Sequence, residues 1–205
     1  MLNSIITIAF SYLLGSISFS ILFARWLRKI DIREHGSGNA GATNTLRILG
    51  KGPATAVFLL DIVKGLVAVL VGNWLGDGNV WVPVACGLAA IAGHNWPLYF
   101  RFKGGKGIAT TIGALVIWAL LPTLFAGIVA IIAIILTRYV SLGSMIFAIC
   151  LPVLFYLFDH DAAYIWGTII VAVLAIVRHR KNIVKLMNGT ENKIGGRKKG
   201  EPHGA

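Results

Sequence analysis

The chain has 205 residues, 57% hydrophobic and only 13% charged, with a mean hydropathy of +0.78. Soluble chains carry about twice that share of charge, so a surface wetted all round is excluded and a bilayer is the expected solvent. The formal net charge is nonetheless +11, from 19 Lys and Arg against 8 Asp and Glu, a combination that excludes a secreted disulfide scaffold, a disordered chain and a coiled coil.

The first apolar run, Leu2 to about Ala24, has no cation before it, and Arg25, Arg28 and Lys29 follow it directly. A signal peptide has the reverse order, so this reads as a retained helix whose start lies outside. A polar stretch, Asp31 to Gly52, separates it from a second run, Pro53 to Leu75, which carries Asp61 and Lys64. A third run, Val80 to Phe100, contains His94 and Pro97 and leads into the basic, glycine-rich Arg101–Gly107. The next stretch, Ile108 to Leu136, would be about 43 Å long as one helix, against a hydrocarbon core of about 30 Å. Two further runs, Tyr139 to Phe158 and Ala162 to Val177, flank the acidic Asp159-His160-Asp161.

Charge decides how the fourth stretch is read. With a split at Pro122, 18 of the 19 basic residues fall on one side, and the outer loops hold only Asp77, Asp159 and Asp161 among charged residues. Without it, Arg138 and the basic tail would lie outside, against the positive-inside rule. The prediction is an all-α polytopic membrane protein of seven transmembrane helices, N-terminus outside and C-terminus cytoplasmic. Residues 1–191 form one domain, and the basic tail Asn192 to Ala205 is expected to be disordered. Because the basic residues lie between apolar runs, nucleic acid is not an expected partner. Cys86 and Cys150 fall in apolar runs without metal-ligand spacing and read as inert thiols.

Three segments on the cytoplasmic side carry chemistry. In Gly36-Ser37-Gly38-Asn39-Ala40-Gly41-Ala42-Thr43-Asn44, small residues leave backbone N–H groups unshielded, the makings of an anion-binding concavity. Ser37, Asn39, Thr43 and Asn44 add side-chain donors, and Arg47 adds a two-pronged cation suited to phosphate. The second segment runs from Gly93-His94 through Lys103-Gly104-Gly105-Lys106-Gly107 to the start of a helix, where phosphate is commonly held. It is not a Walker A loop, because Gly107 follows Lys106 and Phe100 stands in place of the first glycine. In the third, Arg178 to Glu191, a helix would put His179 and Arg178 on one face with Asn182, and Glu191 is a lone acid among bases. All three share one membrane parity and can converge. Asp61 and Lys64, one turn apart within a span, either neutralise each other or support that site.

These residues resemble a known family. Ser37-Gly38-Asn39-Ala40-Gly41-Ala42-Thr43-Asn44-x-x-Arg47 is similar to the first signature of the bacterial acyl-phosphate:glycerol-3-phosphate acyltransferases, the PlsY family. Gly93-His94-x-x-Pro97 with Phe102-Lys103-Gly104-Gly105-Lys106-Gly107-x-Ala109-Thr110 resembles the second. Arg178-His179-x-x-Asn182-Ile183-x-x-Leu186-x-x-Gly189-x-Glu191 resembles the third. The resemblance implies acyl transfer from acyl-phosphate to the 1-hydroxyl of sn-glycerol 3-phosphate in the bacterial inner membrane, with the site facing the cytoplasm. By that resemblance, Ser37, Arg47, Lys106, His179 and Asn182 hold glycerol 3-phosphate and carry the catalysis. Asn39, Gly41, Ala42, Thr43, Asn44, Lys103, Gly104 and Gly105 hold the acyl-phosphate head. His94, Asp61, Lys64, Arg178 and Glu191 support them, with no metal and no cofactor. A functional link to an enzyme that makes acyl-phosphate is implied as well.

The residues suit that chemistry. An acyl-phosphate is already activated, so the site has to position two anions and stabilise developing charge. Either His179 or the substrate's own phosphate takes the hydroxyl proton. The histidine–four–aspartate signature of acyl-CoA-type glycerolipid acyltransferases is missing, as are the clustered acids that hold Mg²⁺ in phosphoalcohol transferases. A transporter of anionic solutes remains the alternative from another class; it needs access from both sides, and the outer loops are short and acidic.

Overall fold

The computed structural model of the chain describes residues 1–195. All regular structure among them is helical: α1 (Leu2–Gly15), α2 (Phe19–Arg28), α3 (Ala42–Leu49), α4 (Lys51–Leu75), α5 (Trp81–Asn95), α6 (Ile108–Trp118), α7 (Leu120–Thr137), α8 (Val140–Leu157), α9 (Ala162–Arg178) and α10 (Arg180–Met187). Single 3-10 turns occupy Ile32–Glu34 and Leu98–Phe100. Leu2–Arg28 taken through its short break, α4, α7 and α8 are each long and apolar enough to cross a membrane, and α9 with α10 makes a fifth if the bent pair is one span. Their outward faces carry large apolar side chains, such as Ile135 and Leu136 on α7, as lipid-facing helices do.

Lipid offers no hydrophobic drive for helices to associate, so close backbone packing has to hold the bundle. Glycines supply it in facing pairs. A Cβ on Gly15 of α1 would collide with the Ala90 carbonyl of α5, and one on Gly93 of α5 with the Tyr12 carbonyl of α1. Gly65 of α4 and Gly113 of α6 stand in the same relation to the Thr110 and Ile62 carbonyls. The remaining core, including Val69, Ile91, Leu115, Trp118, Phe147, Leu151 and Phe155, joins α4, α5, α6 and α8 to α9.

The sequence differs from this fold at three places. The expected split at Pro122 falls earlier, at Ala119, which is extended between α6 and α7. Proline fits the first turn of α7 because no N–H is needed there. The Thr123 hydroxyl donates to the Ala119 carbonyl at 2.6 Å and to the Leu115 carbonyl at 3.2 Å, satisfying groups freed by the break. The first apolar run also breaks, at Ser16–Ser18. The third segment is not one helix, since α9 and α10 meet at 58° with His179 between them. The tail expected to be disordered lies outside the described residues from 196 onward. Before that point, the Ile194 N–H donates to the Arg138 carbonyl at 2.8 Å and the Arg138 guanidinium donates back to the Ile194 carbonyl.

A second apolar cluster matters most for the site. Ile21 and Ala24 of α2, Ile32 and Ala40 of the following loop, and Phe100 are buried together, with Ile48 and Leu49 of α3 against them. Burying an isoleucine such as Ile32 contributes about 1.5–3 kcal/mol. The polar loop between α2 and α3 is thereby pinned to the turn that follows α5.

Candidate active site

At the end of the bundle where this loop, the Lys103–Gly107 turn and the α9–α10 elbow meet, the chain encloses a hollow of about 360 Å³. Ser37, Asn39, Gly41, Ala42, Thr43 and Arg47 line it from one side, Gly104 and Lys106 from another, and Arg178, His179, Asn182 and Glu191 from the third. The three segments read from the sequence do converge.

Each wall has its own support. Asn44 is buried, and its amide is spent on the loop: Nδ2 donates to the Ile32 and His35 carbonyls, while Oδ1 accepts from the Ser37 N–H at 2.9 Å. Asn44 therefore shapes the concavity and has no side-chain donor left over for a ligand. Gly41 caps α3 in an extended conformation, and the first N–H groups of a helix have no internal acceptors. The Asn44 N–H turns back to the Gly41 carbonyl at 3.0 Å, which leaves those of Ala42 and Thr43, two residues that line the hollow with Arg47.

The glycine turn is clamped from α9. Arg178 donates Nε–H to the Gly105 carbonyl at 3.0 Å and Nη2–H to the Gly104 carbonyl at 3.2 Å, with its guanidinium 5.3 Å from the Trp96 ring centroid. The Gly105 N–H donates to the His94 carbonyl at 3.0 Å. The sequence grouped Lys103 and Gly105 with the residues on the ligand, but neither lines this hollow. Lys103 borders a separate depression with Arg25, Arg33 and Arg101. Gly105 is there because a Cβ would collide with the His94 ring and the Ala40 carbonyl.

Lys106 reaches across to the elbow. Its Nζ donates to Asn182 Oδ1 at 2.5 Å, and Asn182 Nδ2 donates to Glu191 Oε1 at 2.8 Å. Ser141 at the start of α8 donates to the same carboxylate oxygen at 3.0 Å. Sequence reading missed Ser141, because one serine at a helix start carries no signal of its distant partner. Burial holds the Lys106 amine down at about 8, against the pull of Glu191, while Arg47, Arg178 and Lys185 add repulsion. His179 sits between the two helices with its Nδ1 donating to the Ala175 carbonyl at 2.8 Å. A carbonyl only accepts, so Nδ1 carries the proton and Nε2 is the acceptor of the neutral ring. Burial, with Lys106 and Arg178 nearby, pushes His179 down to about 4.

Asp61 and His94 also reach the hollow, and Lys64 lies buried behind them. Lys64 Nζ is 2.8 Å from Asp61 Oδ1, so the two do neutralise each other. Among the described residues no group of three or more His, Cys, Asp or Glu is placed to hold a metal ion.

The fold and the hollow define a membrane-embedded helical protein with a hollow lined by Arg47, Lys106, Arg178 and small residues at one end of its bundle. The sequence pattern of the family described as glycerol-3-phosphate acyltransferase matches residues 5–189. Glycerol-3-phosphate acyltransferases of Halalkalibacterium halodurans and Shouchella clausii are 56% and 52% identical to the chain, over 92% and 93% of it and 94% and 96% of their own lengths. Among solved structures, the integral membrane glycerol 3-phosphate acyltransferase PlsY (YgiH) in its glycerol 3-phosphate form superposes with a TM-score of 0.89 at 37% identity. That likeness covers 93% of this chain and 94% of that one. The lysophosphatidic acid form of PlsY superposes with a TM-score of 0.86. The chain belongs to the glycerol-3-phosphate acyltransferase family and is a membrane enzyme of the PlsY type.

Proposed function

We propose that the enzyme takes its acyl group from an acyl-phosphate, transfers it to the 1-hydroxyl of sn-glycerol 3-phosphate, and releases 1-acyl-sn-glycerol 3-phosphate and inorganic phosphate. The observation that carries this is the pairing of two anion-holding walls in one hollow. The Asn39–Thr43 backbone and the Gly104 turn form one wall; Lys106, His179 and Asn182, with Ser37 and Arg47, form the other. The known PlsY forms carry glycerol 3-phosphate and lysophosphatidic acid, a substrate and a product of this reaction.

In this reading Arg47 and Lys106 hold the phosphate of glycerol 3-phosphate, with Ser37 and Asn182 fixing its orientation. Backbone N–H groups from Asn39 to Thr43 hold the acyl-phosphate head, and the acyl chain lies between helices. The hydroxyl oxygen attacks the acyl carbon, the carbon–oxygen bond to phosphate breaks, and phosphate leaves with the electron pair. Pushed down to about 4, His179 is a weak base. A phosphate monoester with a second pKa of about 6 is the stronger one. The hydroxyl proton therefore passes to a substrate phosphate, and His179 accepts a hydrogen bond that orients the alcohol.

Seven membrane crossings, the first helix starting outside and the site facing the cytoplasm of the inner membrane, complete the proposal. The support is the charge pattern, which puts Lys106, Arg178 and Arg47 with the bulk of the basic residues. A reactive mixed anhydride also implies a functional link to the enzyme that makes it.

Purified protein in detergent, given acyl-phosphate and glycerol 3-phosphate, is expected to form lysophosphatidic acid without ATP or acyl-CoA. Product formation from acyl-CoA but not from acyl-phosphate would overturn the donor assignment.

A further inference from the structure

Beneath the Gly104–Gly105 turn, three ionisable side chains are buried together: Asp61 at 1% exposure, Lys64 at 2% and His94 at 6%. The Lys64 ammonium has three protons and three acceptors. They are the Gly15 carbonyl at 3.0 Å, the Ile17 carbonyl at 2.8 Å and His94 Nδ1 at 3.0 Å. The two carbonyls belong to the break between α1 and α2, where intrahelical partners are missing. Asp61 Oδ1 lies 2.8 Å from the same nitrogen and 3.5 Å from His94 Nδ1, and supplies charge to both.

This arrangement determines where the imidazole proton resides. An ammonium donates and never accepts, so the 3.0 Å contact with Lys64, shorter than the 3.5 Å approach of Nδ1 to Asp61 Oδ1, makes Nδ1 the acceptor and puts the neutral ring's proton on Nε2. Among the described residues Nε2 has no hydrogen-bond partner, yet His94 lines the hollow. Its Nε2 edge lies at Gly105 and near the Ala40 carbonyl, in space that any side chain at Gly105 would fill. The Lys106, His179 and Asn182 wall is elsewhere in the hollow.

We infer that His94 donates its Nε2–H to an oxygen of the acyl-phosphate head, and that Asp61 and Lys64 are positioning residues which lock the ring in that tautomer. The inference rests on the acyl-phosphate reading above. It adds a substrate contact from α5, beside Ala40 of the Ser37–Thr43 loop.

Two measurements test it. In detergent-solubilised enzyme with each substrate varied separately, His94→Leu is expected to raise KM for acyl-phosphate at least about tenfold. KM for glycerol 3-phosphate stays within about twofold, and His94→Gln, which returns an N–H near the Nε2 position, recovers most of the loss. An unchanged acyl-phosphate KM in His94→Leu, or equal rises in both KM values with no recovery by Gln, overturns the inference. The second measurement needs no active variant: nitrogen NMR of ¹⁵N-histidine-labelled wild-type protein, with the His94 signals assigned by their loss in His94→Gln. The Nε2–H tautomer is expected, with Nε2 shifting on addition of an acyl-phosphonate; an Nδ1–H tautomer overturns the inference. Wild-type protein inactive on acyl-phosphate would instead overturn the reaction, while the tautomer measurement would still judge His94.

Discussion

Lys106 and Asn182, 76 residues apart in the chain, meet at 2.5 Å across the hollow. Asn182 passes that contact on to Glu191 through its own N–H at 2.8 Å. The cation of the glycine turn is thus held in place by the elbow after α9, and its charge is tuned by a carboxylate it does not touch.

That tuning has a sign. Lys106, held down at about 8 mainly by burial, is charged below that pH and neutral above it. The value of kcat/KM for glycerol 3-phosphate, which reports the free enzyme, is therefore expected to fall as pH rises through about 8. Lys106→Arg moves that limb beyond the working range. Glu191→Gln removes the group that raises the Lys106 value, so the limb moves to lower pH. A pH–rate profile of the three proteins in detergent checks both; an unmoved limb in Lys106→Arg rejects the assignment.

Gly105→Ala places a methyl group against the His94 ring and the Ala40 backbone. Overpacking of this kind costs about 1–3 kcal/mol, and here it also pushes the turn away from the Arg178 clamp. The expected outcome is a lower thermal midpoint and a larger fall in kcat/KM than for Gly127→Ala, whose Cβ meets open space.

Lys64→Met leaves Asp61 uncompensated and strips hydrogen bonds from the Gly15 and Ile17 carbonyls. Breaking a buried ion pair costs about 3–5 kcal/mol. Adding Asp61→Asn removes the stranded charge but not the stranded carbonyls. The double variant is expected to melt between Lys64→Met and the wild type; a double variant no more stable than Lys64→Met would show that the carbonyls alone account for the loss.

The proposed crossings are open to labelling. After replacement of Cys86 and Cys150 by alanine, Asp77→Cys and Asp159→Cys are expected to react with an impermeant thiol reagent in intact cells. Arg138→Cys and Lys181→Cys are expected to react only once the membrane is opened. Labelling of Arg138→Cys from outside would mean that the 108–136 stretch does not cross twice.

The membrane setting, the helical class and the three site segments were legible in the sequence, because each depends on local composition. Apolar runs need lipid, basic residues gather on one side, and glycines flanked by cations make places for anions. Those signals are local, and they singled out segments whose Arg47, Lys106, His179 and Asn182 line one hollow. Which donors remained free was decided only by the tertiary structure. Asn44 read as a ligand donor and turned out to hold its own loop, since its amide meets the Ile32 and His35 carbonyls. Lys103 and Lys106, three residues apart in the chain, face different depressions because the Gly104–Gly105 turn between them is clamped by Arg178. The partners of His94 were equally out of reach. They are Lys64 and Asp61 of another helix, and the lysine in turn is held by the break in the first apolar run. Residue types and their spacing record what chemistry is available, whereas the partner of each polar atom is a long-range property that exists only once the helices have packed.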